Sequence, residues 1–497
     1  MAVQVLIKSN MYQDSVALMR ISSHVSKLPG INQAAVVMGT PQNKNVLKES
    51  GLFLPEVQDA KPSDLIIAFD AESKSVASKA VELVDKLMAA PDLDTNSSQP
   101  GAKLKYSSIR MAVQEHPEVN MVAISVPGEF AAAEALKALK SNLNVFLFSD
   151  NVSLMDEIQL KKYAWRKGLI LMGPDCGTAY IDGVPFGFVN QVRRGSIGIV
   201  GSSGTGIQEI MTQIHKQGSG ISHIIGTGGR DLTDAVEGLS TRSALAALEA
   251  DDSTDTIILV SKFPSQRVAD HILNEFAQCT KKVIACLQGM APGQRYGKVQ
   301  FANTLAEAAS LATGIEAESC FYGDSDAKAP GRYIRGLFSG GTLANEAYML
   351  LSKELGSIAT NAEFMRRESD NMHLILDMGS DEFTRGKPHP IIDLTDRLAM
   401  FKKEASNPDV GVILLDVVLG YGAHSNPASE LAPYIREFCR PEGPRVVINL
   451  LGTDLDVQGY ASQAEKLSTA GAVVCNNNYD AVMTALKLVD GAGKGGK

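Results

Sequence analysis

Long hydrophobic runs are absent from this sequence. The longest, such as Val410–Leu415, are far shorter than the roughly 20 residues that a membrane-spanning helix requires, so we expect no association with a membrane. The first ten residues, MAVQVLIKSN, contain no basic region followed by a long apolar stretch. We therefore expect no secretory signal and a cytoplasmic location.

Paired cysteines and a strong charge of one sign are also lacking. The 6 cysteines are scattered and show neither a disulfide framework nor the spacing of metal ligands, so we expect no metal site. A net charge of -9 over 497 residues argues against nucleic acid as a partner. Only 1 Trp is present, but 44 Gly and a hydrophobic content of 44% are typical of a globular α/β protein with many tight turns.

Predicted strands and helices alternate along the chain and indicate several domains. Residues 1–90 have the strand and helix order of a small α+β domain, and 91–104 have the Pro, Ser, Asn and Gly content of a linker. Residues 105–194, 195–318 and 332–490 each alternate between buried strands and helices. This alternation predicts consecutive α/β domains with parallel sheets, in which ligands bind at the carboxyl ends of the strands.

The strongest local pattern is a strand, a turn of small residues and a helix within Arg193–Thr212. The first turn of a helix has unpaired N–H donors and the positive end of the helix dipole, which suit a phosphate or a carboxylate. A second turn of this type follows the strand that begins at Tyr333. We predict that both turns bind one polyanion through Ser202, Ser203, Gly204, Thr205, Gly206, Ser339, Gly340, Gly341 and Thr342. A capped turn without a ligand is the alternative.

Polar turns after other predicted strands would form the rim of the same site. These turns contain Asp150, Asn151, Asp175, Cys176, Gly228, Gly229 and Arg230. Ordinary turn chemistry also explains each of them, and a thiol such as that of Cys176 is more often buried and structural. In the last third of the chain the candidates are Asp381, Arg385 and His389. The two charged residues could bind substrate or could pair with each other locally.

Several ordered motifs resemble those of known proteins. The runs Gly173–Cys176, Gly201–Thr205 and Gly226–Gly229 are similar, in the same order, to characteristic turns of the α subunit of succinyl-CoA synthetase. The last domain resembles the C-terminal domain of the β subunit of that enzyme. More closely, GRYIRGLFSGG, DEFTRGKPHP and DVVLGYG resemble signatures of the FdrA group of acyl-CoA-synthetase-like proteins, and this resemblance covers essentially the whole chain.

The resemblance implies a type for each domain. It identifies 105–194 as a Rossmann-like domain of the CoA-binding type and 195–318 as a flavodoxin-like ligase domain of the α-subunit type. It identifies 332–490 as a flavodoxin-like domain of the type that ends the β subunit. The first glycine-rich CoA turn of the family has no clear counterpart here, since the linker and residues 105–118 replace the usual opening strand.

Two departures from the synthetases concern phosphate chemistry. The synthetases carry phosphate on the histidine of an Arg-Met-Gly-His motif, and the corresponding run here ends in Lys298. Lys262 stands where the supporting glutamate is expected. A lysine binds phosphate as a cation but does not carry it as histidine does. We therefore predict that Lys262 and Lys298 together neutralise a free phosphate group.

The resemblance implies an enzyme subunit that transfers a small acyl-type group to or from phosphate. The implied reaction is that of an oxamate carbamoyltransferase in allantoin breakdown, in which oxalurate and phosphate give oxamate and carbamoyl phosphate. Phosphate and carbamoyl phosphate are then substrates, CoA is a further candidate ligand, and we expect a homodimer or a complex with other subunits. One alternative is an acyl-CoA ligase that works with a separate ATP-binding subunit. Another is a non-catalytic scaffold or metabolite sensor that retains the anion pocket.

Overall fold

The computed structural model describes residues 2–11, 13, 15–89, 106–290, 296–316, 318–324, 328–361, 371–384 and 387–493. Over these residues it shows a small α+β domain followed by α/β units with mainly parallel sheets. The predicted fold class is therefore confirmed. None of the helices in these ranges has both the length and the apolar character needed to cross a membrane.

The first domain has an antiparallel sheet with helices on both faces. Its elements are β1 (Ala2–Lys8), α1 (Ser15–Ser26), β2 (Ile31–Met38), α2 (Pro41–Glu49), a 3-10 turn (Pro55–Asp59), β3 (Leu65–Ala71) and α3 (Lys74–Ala89), with the strands in the order β1-β3-β2. Side chains of the central strand alternate between the two faces. Ile67 and Phe69 pack with α1 and α3, whereas Ile66 and Ala68 pack with α2 and the 3-10 turn.

The next unit is a short parallel sheet. It consists of α4 (Ile109–Glu115), β4 (Met121–Ile124), α5 (Gly128–Lys140), β5 (Asn144–Leu147), α6 (Leu154–Lys167) and β6 (Leu171–Met172), with the strands in the order β4-β5-β6. Helix α6 starts where the Ser153 side chain accepts the N–H of Asp156 and ends at Gly168 in the left-handed conformation, as helix capping predicts. Because the strands are parallel, the turns after β5 and β6 lie at the same edge.

The second α/β unit contains the first predicted anion-binding turn. Its elements are β7 (Thr178–Ile181), β8 (Val184–Gly187), β9 (Arg194–Gly201), α7 (Gly204–Lys216), β10 (Ile221–Gly226), α8 (Leu239–Ala250), β11 (Thr256–Lys262), α9 (Gln266–Phe276), β12 (Lys282–Gln288), β13 (Gln300–Phe301) and α10 (Leu305–Thr313). The strand order is β13-β12-β11-β9-β10-β7-β8. Residues 178–187 belong to this sheet, although the sequence analysis placed them before it, because β7 pairs antiparallel with β10.

The third α/β unit contains the second turn. Its elements are β14 (Phe321–Tyr322), β15 (Tyr333–Phe338), α11 (Gly341–Leu355), β16 (Ile358–Ala359), β17 (His373–Asp377), α12 (Asp381–Thr384), α13 (Thr395–Ala405), β18 (Val410–Val418), α14 (Pro427–Phe438), β19 (Arg445–Leu451), α15 (Tyr460–Thr469), β20 (Val473–Cys475) and α16 (Asn478–Gly493). The strand order is β14-β20-β19-β18-β15-β17-β16. Every residue of β18 is buried, which explains its nearly continuous apolar sequence.

The second and third α/β units share one hydrophobic core. Ile210 and Ile214 of α7 belong to the same buried cluster as Leu343 and Ala347 of α11 and Ala485 of α16. Helices α7 and α11 therefore pack against each other. This packing is what brings the two predicted anion-binding turns together.

Candidate functional site

The N-termini of α7 and α11 are in direct contact. Ser203 Oγ lies 2.5 Å from Thr342 Oγ1 and also accepts the N–H of Gly206 at 3.1 Å. A methyl group at Gly340 would lie 2.8 Å from Thr205 Oγ1, so the close approach of the turns requires glycine there. The structure thus brings together the two turns that the sequence singled out.

A carboxylate of the protein itself already binds the backbone donors of the second turn. The N–H groups of Ser339 and Gly340 donate to the Asp416 carboxylate at 2.7 and 2.8 Å, and Ser339 Oγ donates to it at 2.9 Å. Arg397 Nη2 neutralises the same fully buried carboxylate at 2.5 Å. The prediction that Ser339 and Gly340 bind a polyanion is wrong for their backbone donors, because Asp416 already occupies the place of that anion.

Donors remain accessible on the open side of the two turns. Gly204 is exposed and Ser202, Thr205 and Gly341 are partly exposed, and first-turn N–H groups have no acceptor within their own helix. The exposed Lys262 ends β11 beside them, since a methyl group at Gly341 would lie 2.8 Å from Lys262 Nζ. We call these five residues the cationic end of the site.

Asp377 is the carboxylate next to the cationic end. A methyl group at Gly341 would clash with Asp377 Oδ2, so this oxygen and Lys262 Nζ lie on the same side of the turn. Burial raises the pKa of Asp377, and the charge of Lys262 opposes that rise. Asp377 Oδ1 accepts the N–H of Gly379 at 3.0 Å.

Lys298 does not belong to this site. Lys262 pairs with Gln288 at the end of β12, whereas Lys298 comes two residues before Gln300, which pairs with Ile284 near the start of β12. Gln288 and Ile284 are four residues apart on β12, which is about 13 Å at roughly 3.3 Å per strand residue, so the two lysines lie towards opposite edges of the sheet. The prediction that they act together is wrong, because the chain returns to the other edge between β12 and β13.

A cluster of carboxylates lies where β5 and β6 end and α12 begins. Asp150, Asp175 and Asp381 each keep part of their surface exposed, and they are close enough for their charges to interact. Partial removal from water, followed by the charges of Asp150 and Asp381, raises the pKa of Asp175 to about 6. Removal from water also raises the pKa of Asp150. We call these three residues the acidic end.

The other predicted rim residues have structural roles or stay at the edge. Cys176 is buried, its thiol donates to the Thr178 carbonyl, and burial raises its pKa to about 12. Gly228 is also buried, so neither is a rim residue. Gly229 is exposed, and Arg230 holds Glu157 at 2.7 Å through Nε. When Cys176 and Gly228 are excluded, the predicted rim consists of Asp150, Asn151, Asp175, Gly229 and Arg230.

His389 lies beside Gly379 and the ring of Phe188, with ring centroids 6.4 Å apart. Burial lowers its pKa to about 4, although the nearby Asp416 carboxylate opposes the change. Its Nδ1 accepts the N–H of Ile391 at 3.2 Å, so the neutral ring carries its proton on Nε2. His389 is therefore a neutral hydrogen-bond donor at pH 7. Arg385 lies outside the described residues.

Three residues that shape the site were missed from the sequence: Asp377, Arg397 and Asp416. A signal was available for the last of them. Asp416 interrupts the apolar run of β18, and a charge inside a buried strand requires partners. Its partners Ser339 and Arg397 come from separate elements, which the sequence does not connect.

Comparisons with known proteins assign the chain to a family. Residues 1–103 match a family described as "AllF, heavy metal-associated domain", 192–289 match the CoA binding domain and 337–488 match CoA-ligase. The uncharacterized protein YahF of Escherichia coli (strain K12) is 40% identical over 98% of this chain and 99% of its own length. The succinate–CoA ligase α subunit of Methanothermobacter thermautotrophicus is 31% identical over 39% of this chain and 65% of its own length.

Among solved structures, the dinucleotide-forming acetyl-coenzyme A synthetase 1 of Ca. Korarchaeum cryptofilum aligns with 79% of this chain and 88% of its own. The TM-score is 0.33 and the identity 17%. The fold, the family matches and the relatives define a protein of the acyl-CoA-synthetase class. The chain belongs to the FdrA-type family of acyl-CoA-synthetase-like proteins.

The chemistry of the first domain does not fit a heavy metal. Such ions prefer thiolate and imidazole ligands, but residues 1–103 contain no cysteine and one histidine, His24. His24 Nδ1 lies 2.7 Å from the Arg20 carbonyl of its own helix. In the described ranges as a whole, no group of three or more His, Cys, Asp or Glu could hold a metal ion.

The described residues 106–120 before β4 contain helix α4 and show no opening strand with a glycine turn of the dinucleotide-binding type. The segment that matches the CoA binding domain instead contains β9, the turn after it and α7 near its start. Within this segment, a methyl group at Gly228 would clash with the Pro174 carbonyl. Gly228 is therefore required by packing within the protein.

Proposed function

We propose that this protein is a subunit of a carbamoyltransferase that interconverts oxalurate plus phosphate and oxamate plus carbamoyl phosphate in ureide nitrogen catabolism. The observation that carries the proposal is the cationic end, where Lys262 and two helix N-termini meet without a phosphate-carrying histidine. Anionic substrates are bound directly in such a site. The FdrA resemblance supplies the identity of the transferred group.

The reaction balances without a metal or a redox partner. A phosphate oxygen attacks the carbamoyl carbon of oxalurate, a C–O bond forms, and the bond from that carbon to the imide nitrogen breaks. The proton of hydrogen phosphate passes to the leaving nitrogen, which becomes the amide of oxamate. Negative charge develops on oxygens during the attack, and preorganised N–H donors and a cation stabilise such charge.

Different residues of the site bind phosphate and transfer the proton. Lys262 and the first-turn N–H groups of Gly204 and Thr205 bind phosphate. Asp175 carries and returns the proton, because a carboxyl with a pKa of about 6 exists in both forms near neutral pH. The neutral His389 donates a hydrogen bond from Nε2, which is the only ring nitrogen that can carry its proton when Nδ1 accepts from Ile391.

The proposal is tested with the purified chain, alone and with its partner subunits. We expect isotope-labelled phosphate to exchange into carbamoyl phosphate in the presence of oxamate. Lys262→Met should weaken phosphate binding tenfold to a hundredfold in calorimetric titration, because a charge-assisted hydrogen bond contributes about 1.5–3 kcal/mol. The matched control is Lys298→Met, which removes the same charge at the opposite edge of the sheet and should leave phosphate affinity unchanged.

Equal effects of the two lysine variants would refute the proposed phosphate site. Absence of exchange with all subunits present would refute carbamoyl transfer even if phosphate binds. The match of residues 337–488 to CoA-ligase favours one second candidate, an acyl-CoA ligase subunit that works with a separate ATP-binding subunit. Formation of an acyl-CoA from ATP, CoA and a carboxylate would identify that alternative. Phosphate binding without any turnover would indicate a sensor.

We further propose that the protein acts in the cytoplasm, as a homodimer or within a complex of several subunits. Its similarity to a protein described as a succinate–CoA ligase α subunit supports a complex with other subunits. Its remaining partners are then the small anionic substrates. Size-exclusion chromatography with light scattering, with and without the other subunits, measures the assembly directly.

A further inference from the structure

The first domain contacts two of the α/β units. Towards the third α/β unit, Ser23 Oγ donates to Asp393 Oδ2, and Lys27 Nζ lies 2.9 Å from Glu430 Oε1. Towards the unit of β4, β5 and β6, Gln42 Nε2 donates to Asn151 Oδ1 at 3.1 Å. The first domain therefore connects these two units.

These contacts adjoin the residues of the site. Asn151 follows Asp150 of the acidic end. Asp393 is four residues from His389, and its own N–H donates to the His389 carbonyl at 3.1 Å. The Asp393 carboxylate also accepts the N–H of Thr395, the first residue of α13, at 2.8 Å.

Helix α13 continues the connection to the anion-binding turns. Its Arg397 donates to the Leu337 carbonyl at 2.9 Å and to Asp416 at 2.5 Å. Asp416 in turn fixes the backbone of Ser339 and Gly340. A continuous series of polar contacts therefore runs from Ser23 in the first domain to the N-terminus of α11.

The charges are complementary where the first domain contacts the third α/β unit. Hydrogen bonds from His424 and Lys27 lower the pKa of Glu430 to about 2. The pKa of Asp393 is also lowered, because hydrogen bonds from Ser23 and Thr395 together with the charge of Lys27 outweigh its burial. Both carboxylates are thus ionised at neutral pH, and Lys27 faces them with the opposite charge.

We infer that the first domain, whose sequence has no cysteine and one histidine, is a positioning domain that bridges the third α/β unit and the unit of β4, β5 and β6 and fixes the loop containing His389. It acts through Asp393 rather than by touching the substrate. This inference needs the contacts described above and does not depend on carbamoyl transfer. It is therefore tested without measuring turnover.

The experiment is hydrogen exchange of the full-length chain, measured by mass spectrometry, for Ser23→Ala/Lys27→Met and for the matched control Lys79→Met. Lys79 is an exposed residue on α3 of the same domain. We expect the amides of residues 389–395 to exchange at least tenfold faster in the double variant and at the wild-type rate in the control. The amides of β1 and β3 should remain protected in both, which shows that the domain is still folded.

Exchanging the charges of Lys27 and Glu430 distinguishes loss of the contact between them from general destabilisation of the first domain. Lys27→Glu alone should also accelerate exchange at 389–395, and combination with Glu430→Lys should restore at least part of the protection. Calorimetry with inorganic phosphate should follow the same pattern, with weaker binding in the single variant and recovery in the pair. The inference is overturned if hydrogen exchange at 389–395 is unchanged while β1 and β3 remain protected. It is also overturned if the paired variant recovers none of the protection.

Discussion

The buried carboxyl of Glu346 leads to a quantitative prediction about stability. Glu346 lies on α11, where it contacts the first residues of α10 and α16. Its Oε1 accepts the N–H of Leu305 at 2.7 Å and its Oε2 accepts from Asn478 Nδ2 at 2.8 Å. Burial raises the pKa of Glu346 to about 7; the two hydrogen bonds oppose the rise, and the charge of Glu209 adds to it.

The sign of the pH effect follows from this rise. In the unfolded chain the pKa of such a carboxyl is about 4.5, so the folded protein binds the proton more tightly. The stabilising contribution is fully present below pH 4.5, falls as the pH rises towards 7, and is lost above it. At about 1.4 kcal/mol per pH unit, the free energy of unfolding decreases by about 3 kcal/mol across this window.

Glu346→Gln removes the titration. It also converts one of the two accepting oxygens into an amide that faces a donor, at a cost of about 1 kcal/mol. We therefore expect the variant to be no more stable than the wild type near pH 5 and about 2 kcal/mol more stable at pH 8. Urea denaturation followed by circular dichroism at pH 5, 6.5 and 8 measures the difference.

Glu354→Gln is the matched control, because Glu354 is exposed on the same helix. Its stability difference from the wild type should be small and independent of pH. If the difference between Glu346→Gln and the wild type is the same at all three pH values, Glu346 does not titrate in the folded protein, and the reasoning is wrong.

Three further predictions follow from the site. No histidine phosphate should form with ATP or an acyl phosphate, because the resemblance to the synthetases places Lys298 where they carry that histidine; recovery of an acid-labile phosphohistidine peptide would contradict this. Iodoacetamide at pH 8 should modify the exposed Cys320 well before Cys176, whose thiol is buried with a pKa of about 12; peptide mapping that finds equal rates would exclude this environment. Arg397→Met should lower the free energy of unfolding by about 3–5 kcal/mol, because it leaves the Asp416 carboxylate buried without its cation; a loss below 1 kcal/mol in urea denaturation would show that the pair is not needed.

The local elements were largely predictable, because each depends on residues close in sequence. The strand predicted within Arg193–Thr212 is observed as Arg194–Gly201, and the small-residue turn after it does begin a helix, which Ser203 caps. The hairpin of β7 and β8 was missed, although Asp182-Gly183 between its strands is a strong turn signal. Its assignment to the wrong domain followed from that omission.

The sequence by itself determined the order of the elements, the α/β class, the resemblance to a family and the presence of two turns suited to anions. Only the tertiary structure decided what those turns can bind. The donors of Ser339 and Gly340 belong to Asp416, about 76 residues further along the chain, and Lys262 and Lys298, though close in sequence, lie at opposite edges of one sheet. The physical reason is that periodicity and capping are set within a few residues, whereas the partner of a hydrogen-bond donor is set by whichever distant segment packs beside it.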